Sequence, residues 1–407
     1  MSMGKKRNRV FELILCVVLA LALLVSAGCT PSASESGQQG SAVNDDTTQQ
    51  IAGNITGAPV LPGLQCLSVL ELEYAEQFSC FYYENGYQAF QIRQEDTYLL
   101  VPDGASVPDG LDSSVIVLQK PLSSIYVAAT AAMALFDAID CLDHIKYSSV
   151  QAGDWYVENA NRAMDEGRIV YAGKYSEPDY ELLISQGCDL SVQSTMIYHS
   201  PKVKEMLEAM GIPVMVDAAS FESHPLGRTE WIKLYGFILG EDEKAKSFFD
   251  EQAQIVEDLK DFENTGKTVV YFYISSNGQA VIRSSGDYIA KMINIAGARY
   301  AFDGIANPSE SSTTVSLSME EFYATAVNAD YLIYNASIDQ PIKTMQDLLG
   351  KDQLFADFKA VQEGNVWCTE RNFYQASDIA ARMIDDINLM ITNGSEKDMT
   401  FLYRVRS

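Results

Sequence analysis

The chain predicts an α/β fold: two lobes with largely parallel sheets, joined by one long α-helix and preceded by an extra β-rich segment. Three observations carry that expectation. Short apolar runs alternate with amphipathic stretches on both sides of the chain's midpoint, the pattern of βαβ units and parallel sheets. A single helical stretch from Arg228 to about Phe262 separates the two halves. Residues 64–118, by contrast, read as strands with no helix between them.

The N-terminus sets the cellular context. Lys5, Lys6, Arg7 and Arg9 precede an apolar run from Phe11 to Val25, which is short for a membrane span and ends in small residues. The segment Val25-Ser26-Ala27-Gly28-Cys29 resembles the lipobox of bacterial lipoproteins. That resemblance implies a signal peptide over 1–28, lipidation of Cys29, and an anchor on the outer face of the cytoplasmic membrane, at the cell surface or in the periplasm. Residues 29–57 are rich in Ser, Gly, Gln, Thr, Asn and Asp, a composition that cannot bury enough surface to order itself, so they read as a flexible tether.

Charge and cysteine content narrow the function. The net charge is −26; the signal segment contributes four Lys/Arg against one Glu, a net +3, which leaves the mature chain at −29. Such a balance excludes a nucleic-acid binder and a protein that lies flat on anionic lipid. Of seven cysteines, Cys16 and Cys29 belong to the signal and its cleavage site. Cys66, Cys80, Cys141, Cys188 and Cys368 remain, with no CxxC pair, and an odd number leaves one thiol free or paired between chains. Cys66 and Cys80 are close enough in sequence to join across a hairpin, whereas Cys141 and Cys188 sit in apolar patterns and read as buried.

The elements follow in order. Tyr82 to Tyr87 carries Asn85-Gly86 at a hairpin turn, Tyr98–Val101 is a strand stopped by Pro102-Asp103-Gly104, and Val115–Leu118 is a strand covered on both faces. Ser123 or Ser124 is placed to cap an Ala-rich helix running to about Leu142. Asp179–Gln186 reads as a helix ended by Gly187, Asp189–Val192 as a strand, Pro201–Met210 as a helix ended by Gly211, and Ile212–Val216 as a strand. In the 228–262 helix Trp231, Leu234, Ile238 and Leu239 share an apolar face; at 1.5 Å per residue it would reach about 50 Å, and Gly240 offers a point to break it. Beyond it come a strand at Thr268–Ile274, a helix at Asp287–Ala296, a helix at Glu320–Val327 with Ser318 and Glu321 as a capping box, and a strand at Tyr331–Tyr334. A helix at Leu348–Val361, a strand at Asn365–Cys368 and a helix at Ala376–Ile391 close the chain.

From about residue 113 to 392 this order resembles the substrate-binding proteins of ABC importers for ferric siderophores, haem and cobalamin. The likeness rests on Tyr171-Ala-Gly-Lys174, on Pro178-Asp-Tyr-Glu181-Leu-Leu-Ile before Asp189, on Met210-Gly-Ile-Pro-Val214, and on Gly236-Phe-Ile-Leu-Gly240. It implies two Rossmann-like lobes bridged by a single long helix: residues 58–227 as the N-terminal lobe with the β-rich addition at 58–113, the bridge at 228–262, and the C-terminal lobe at 263–407. It further implies no enzyme activity, no intrinsic cofactor, a monomer, a chelated metal as cargo, and an ABC permease with its ATPase as partners. Glu181 and Glu320 match the glutamates that such proteins present to permease arginines, and Tyr175 matches an aromatic ligand contact.

Ligands of open α/β sheets sit beyond the carboxyl ends of the strands. Those loops hold Tyr126, Tyr171, Lys174, Tyr175, Ser194, Thr195, Met196, Tyr198 and His199 in the N-terminal lobe, and Arg283, Tyr288, Trp367 and Arg371 in the C-terminal lobe. Aromatic rings with a few cations suit a large, partly planar, polar or anionic ligand such as a metal chelate or tetrapyrrole. Only His144, His199 and His224 could donate imidazole, too few for a bare-metal site, although His199 is placed to meet a chelated metal and His224 reads as a hinge contact. A surface sensor or adhesin is the main alternative. An exported enzyme is weaker still, since the chain holds no Gly-x-Ser-x-Gly elbow, phosphate-cradling loop or zinc signature.

Overall fold

The computed structural model of the protein describes residues 55–306 and 313–407. Cys29, the 1–28 signal segment and all but the last three residues of the 29–57 tether lie outside the described residues.

The chain opens with a five-stranded sheet in the order β1-β2-β3-β4-β5, formed by β1 (Cys66–Val69), β2 (Phe78–Tyr83), β3 (Gln88–Ile92), β4 (Asp96–Val101) and β5 (Ile116–Gln119). The β2–β3 hairpin turns at Asn85 and Gly86, both at positive φ, as the Asn-Gly pair predicts. Along β4 the side chains alternate: Tyr98 and Leu100 join the core shared with the first lobe, and Leu99 and Val101 join a second layer with Phe81 and Leu61. Both faces are therefore covered, and Tyr98 seals one of them by donating its hydroxyl to the Val214 carbonyl at 2.9 Å. The Val115–Leu118 run pairs with β4, so this added sheet continues to Gln119.

The next sheet is wholly parallel, in the order β12-β11-β6-β7-β8. Its strands are β6 (Ile125–Val127), β7 (Ile145–Ser148), β8 (Val170–Tyr171), β11 (Leu190–Ser194) and β12 (Val214–Asp217); a small ribbon of β9 (Gly173–Lys174) and β10 (Glu177–Pro178) stands beside it. Helices α1 (Ala132–Ala138), α2 (Glu158–Asp165), α3 (Tyr180–Ser185) and α4 (Pro201–Ala209) connect them. The helix expected after Ser123 starts only at Ala132, because Ile125–Val127 is the middle strand of this sheet. Ser123 and Ser124 cap nothing; their N–H groups both donate to Asp189 Oδ2 at 2.8 Å and thereby fix β6 beside β11.

The 35-residue bridge is two helices, α5 (Pro225–Leu239) and α6 (Asp242–Asp258). Gly240 ends α5 at φ 82°, and its N–H donates to the Gly236 carbonyl. A side chain at Gly236 would lie 2.6 Å from the Ala245 Cβ, so that glycine lets α6 pack against the end of α5. Every residue of α5 except Arg228 and Leu239 is buried, which marks it as a core helix. The crossing falls to α6: Ala245 and Phe249 sit in the first lobe's core, and Val256 packs against both cores. At 17 residues it spans about 25 Å.

The second lobe has seven strands, in the order β16-β14-β13-β17-β18-β19 with β15 also on β13. They are β13 (Thr268–Ile274), β14 (Ala280–Arg283), β15 (Arg299–Tyr300), β16 (Thr314–Leu317), β17 (Tyr331–Tyr334), β18 (Val366–Thr369) and β19 (Leu402–Arg404). The helices are α7 (Tyr288–Ile295), α8 (Met319–Ala326), α9 (Met345–Lys351), α10 (Lys359–Gln362) and α11 (Arg382–Thr392). The Ser318–Glu321 capping box forms at α8. The 348–361 helix breaks into α9, a short 3-10 turn and α10, since the Asp352 side chain accepts from the Leu354 N–H and ends the α-helix. Residues 376–381 precede α11 instead of belonging to it: Ser377 donates its hydroxyl to the Ala131 carbonyl and accepts from Thr229 through its own carbonyl, both across to the first lobe. Cys66, Cys80, Cys141, Cys188 and Cys368 are all free thiols, so the Cys66–Cys80 bridge does not form.

Candidate functional site

Between the carboxyl ends of β11 and β12 on one side and the start of α7 on the other lies a cavity of about 460 Å³. The Thr195–His199 turn follows β11 directly and delivers Thr195, Met196, Tyr198 and His199 to it. The turn after β12 delivers Ser220, Phe221, Glu222 and Ser223. The second lobe contributes Arg283, Gly286, Asp287, Tyr288 and Thr313. Tyr198 and Met196 are large and exposed on this wall.

Two guanidinium groups lie over the cavity. Arg228, at the start of α5, stacks on Tyr288 with 3.6 Å from Cζ to the ring centroid and donates to the Ser220 carbonyl at 2.9 Å. Its Nε is buried without a hydrogen-bond partner. Arg283 sits 3.5 Å from Asp287 Oδ2. Burial is the largest single influence and works against its charge, but the Asp287 carboxylate and the surrounding Tyr288, Tyr271 and Tyr300 together hold it above the ordinary arginine range.

The carboxylates nearby are occupied. Asp287 Oδ1 caps α7 by accepting from the Ile289 N–H at 2.8 Å, and Oδ2 accepts from Thr313 at 2.6 Å. Glu222 accepts from the N–H groups of Glu76 and Gln77 and from Trp231 Nε1. Burial pushes its carboxyl above the usual range against those hydrogen bonds. His224 faces away from the cavity: Nδ1 accepts from the Leu226 N–H as the cap of α5, and the ring stacks on Tyr74 at 4.5 Å. Burial, with Lys291 nearby, depresses its pKa to about 4, so it is neutral at physiological pH. The polar free surface is thus aromatic, hydroxylic and cationic.

The structure brings together six of the thirteen ligand positions expected from sequence: Thr195, Met196, Tyr198, His199, Arg283 and Tyr288. Ser194 ends β11 behind them, opposite Asp217. Tyr126 does not line the cavity; it is fully buried in the core beside Leu183 and Val214 and donates its hydroxyl to the Gly173 carbonyl at 2.9 Å. Tyr171 pairs with Ser148, Lys174 is exposed in the β9–β10 ribbon, and Tyr175 packs against the same core as Tyr126, so this trio sits outside the cavity lining. Trp367 is buried in the second lobe's core, since its position in the middle of β18 is covered on both faces. Arg371 lines a separate groove. Sequence reasoning missed Arg228 and the Ser220–Ser223 turn, although that turn follows a parallel strand as directly as the one at Thr195. Among the described residues no group of three or more His, Cys, Asp or Glu side chains could hold a metal ion.

Residues 147–371, more than half of the chain, match the family model described as periplasmic binding protein. The chain belongs to that family. Solved structures of other binding proteins share the fold over about two thirds of this periplasmic binding protein. A periplasmic binding protein of Veillonella parvula aligns at a TM-score of 0.53 and 17% identity, over 67% of this chain and 91% of that one. A periplasmic haem-binding protein of Vibrio cholerae aligns at 0.53 and 16%, over 66% and 98%. A protein of an ABC-type Fe3+-hydroxamate transport system of Saccharomonospora viridis aligns at 0.50 and 16%, over 67% and 93%. In sequence the chain is similar to two lipoproteins of Methanocaldococcus jannaschii, each 24% identical. One matches over 332 residues, covering 75% of this chain and 77% of the relative. The other matches over 413, covering 97% and 100%.

Proposed function

We propose that this periplasmic binding protein is the extracytoplasmic solute-binding lipoprotein of an ABC importer, and that its cargo is a metal chelate: a ferric siderophore, haem or a cobalamin-like molecule. The observation that carries the reading is the inter-lobe cavity, where Tyr198, His199 and Tyr288 face Arg228 and Arg283 with the neighbouring carboxylates already engaged. Rings give area at low entropic cost, and guanidinium forks recognise the carboxylate, catecholate or hydroxamate oxygens that such chelates carry. The solved proteins whose titles name haem and Fe3+-hydroxamate transport support the same class.

In this reading the chain performs no chemistry. Lipid on Cys29 tethers a monomer to the outer face of the membrane, in line with the relatives named lipoproteins. The loaded lobes meet the permease through Glu181 and Glu320, and the ATPase drives the ligand inward. Each glutamate is the second residue of its helix, α3 and α8, and each is exposed. Charged rims of this kind set register and on-rate.

The test is native mass spectrometry of the soluble domain from Gly57 onward, incubated with a panel of ferric siderophores, haem and cobalamin. A bound species of defined mass is expected, lost on replacing Tyr198 or Tyr288 by Ala. A folded domain that retains none of the panel would overturn the chelate reading.

A further inference from the structure

We infer that the chain carries a second binding site, independent of the inter-lobe cavity: a basic groove at the C-terminal edge of the second lobe that takes a soluble, multiply charged oxyanion. The groove holds about 1010 Å³ and shares no lining residue with the inter-lobe cavity. Lys343, Arg371, Arg404 and Arg406 all line it. Among the described residues none of the four makes an ion pair, whereas about half of the other lysines and arginines do. In a protein of net charge −26, four unpaired cations around one concavity against two carboxylates, Glu370 and Glu396, is a local reversal of the global field.

The fold builds this cluster deliberately. After α11 the chain returns to add β19 antiparallel to β18, with Arg404 opposite Trp367. Its guanidinium lies 5.3 Å from the Trp367 ring centroid. Beyond β19, Arg406 donates its N–H to the Lys343 carbonyl at 3.0 Å and accepts from the Met345 N–H at 2.7 Å, which sets the Arg406 and Lys343 backbones side by side. Val405 between the two arginines is buried, so Arg404 and Arg406 project outward two residues apart. Glu396 is partly engaged locally, since it accepts from the Arg404 N–H at 3.3 Å. The family match ends at residue 371, and Arg404, Arg406 and Glu396 lie beyond it.

The chemistry follows from the donors. Three planar forks and one ammonium, with the hydroxyls of Thr344, Thr369 and Thr400 on the walls, match carboxylate or phosphate groups. The volume exceeds a single phosphate and fits a small organic molecule with several such groups.

Two probes, citrate and pyrophosphate, separate polycarboxylate from phosphate recognition. Titration of the soluble domain by calorimetry, with Trp367 fluorescence as a local reporter under Arg404, is expected to show saturable binding to one of them that weakens as salt rises. The Arg404→Gln/Arg406→Gln variant should bind at least tenfold more weakly while it keeps the melting temperature and any cleft ligand. Tyr288→Ala should leave the groove titration unchanged, so loss of the cleft reading and loss of this one are told apart. No saturable heat from either anion up to millimolar concentration, binding equal in the Arg404→Gln/Arg406→Gln variant, or binding only to anionic lipid vesicles would each overturn the proposal.

Discussion

The guanidinium of Arg228 sits over the ring of Tyr288, 3.6 Å from its centroid, and so ties the first turn of α5 to the first turn of α7 across the cavity. Such a contact, partly shielded from water, is worth about 1 kcal/mol. A double-mutant cycle of Arg228→Ala and Tyr288→Ala in urea unfolding should return a coupling of that size, and Tyr288→Phe should retain it. In binding assays with a ferric siderophore or haem, Tyr288→Ala should weaken affinity at least tenfold. Strict additivity of the two substitutions in both assays would remove the contact from the account.

The added sheet is held to α5 by two buried carboxylates. Glu230 accepts from the N–H groups of Glu73, Tyr74 and Ala75 at 2.7–2.8 Å, and Glu222 takes those of Glu76 and Gln77, so five consecutive donors end on two side chains. Lys233 supplies the compensating charge, 2.7 Å from Glu230 Oε1 and nearly as buried. Glu230→Ala would leave three N–H groups unpaired and Lys233 buried without its partner. A loss on the order of 3–5 kcal/mol is expected, read as a drop in the urea midpoint. Glu73→Ala, whose exposed carboxylate only approaches Lys233 from outside at 3.4 Å, should cost less than about 1 kcal/mol.

Much of this architecture is legible in the sequence, and the failures have physical causes. Gly187, Gly211 and Asn85-Gly86 mark turns because only such residues tolerate positive φ there, and the structure puts them at helix ends and in the hairpin. Ile125–Val127 was hidden: three apolar residues beside an Ala-rich run look like the start of a helix, and only pairing with β7 and β11 makes them a strand. In sequence the bridge reads as one helix because α5 is apolar on all sides and flows by composition into α6, with the left-handed Gly240 as the break between them. In the site, loop positions after parallel strands are readable from topology. Tyr126 and Trp367 are not, since an aromatic within a strand can point to either face, and here both point into cores.

Two half-buried titratable groups predict opposite pH slopes. His224 has its pKa depressed to about 4 by burial, so the unfolded chain binds its proton more tightly. Stability from this residue is complete above about pH 6.5, the unfolded value, and is lost as pH falls toward 4. Asp378, in the seam near Asp137, has its carboxyl raised to about 6 by burial. There the folded state holds the proton more tightly, so stability falls as pH rises from about 4 through 6. Asp378→Asn should remove that loss and raise the melting temperature at pH 7, an effect bounded on the order of 2–3 kcal/mol. Equal melting temperatures of the wild type and Asp378→Asn at both pH 4 and pH 7 would contradict the assignment.

The docking role proposed for Glu320 can be separated from helix capping by its neighbour. Glu321 closes the capping box on Ser318, whose hydrogen bonds hold its carboxyl below the ordinary range. Glu320, one residue earlier, is exposed, and no such bond ties it to the cap. Reversal at Glu321 should therefore lower the melting temperature through loss of the cap, about 1 kcal/mol, and leave transport per folded molecule intact. Reversal at Glu320 costs only the favourable helix-end charge, about 0.5 kcal/mol, yet paired with Glu181→Arg it should abolish uptake in cells while ligand affinity stays unchanged. Uptake that survives Glu181→Arg/Glu320→Arg would place the permease contact elsewhere on the two lobes.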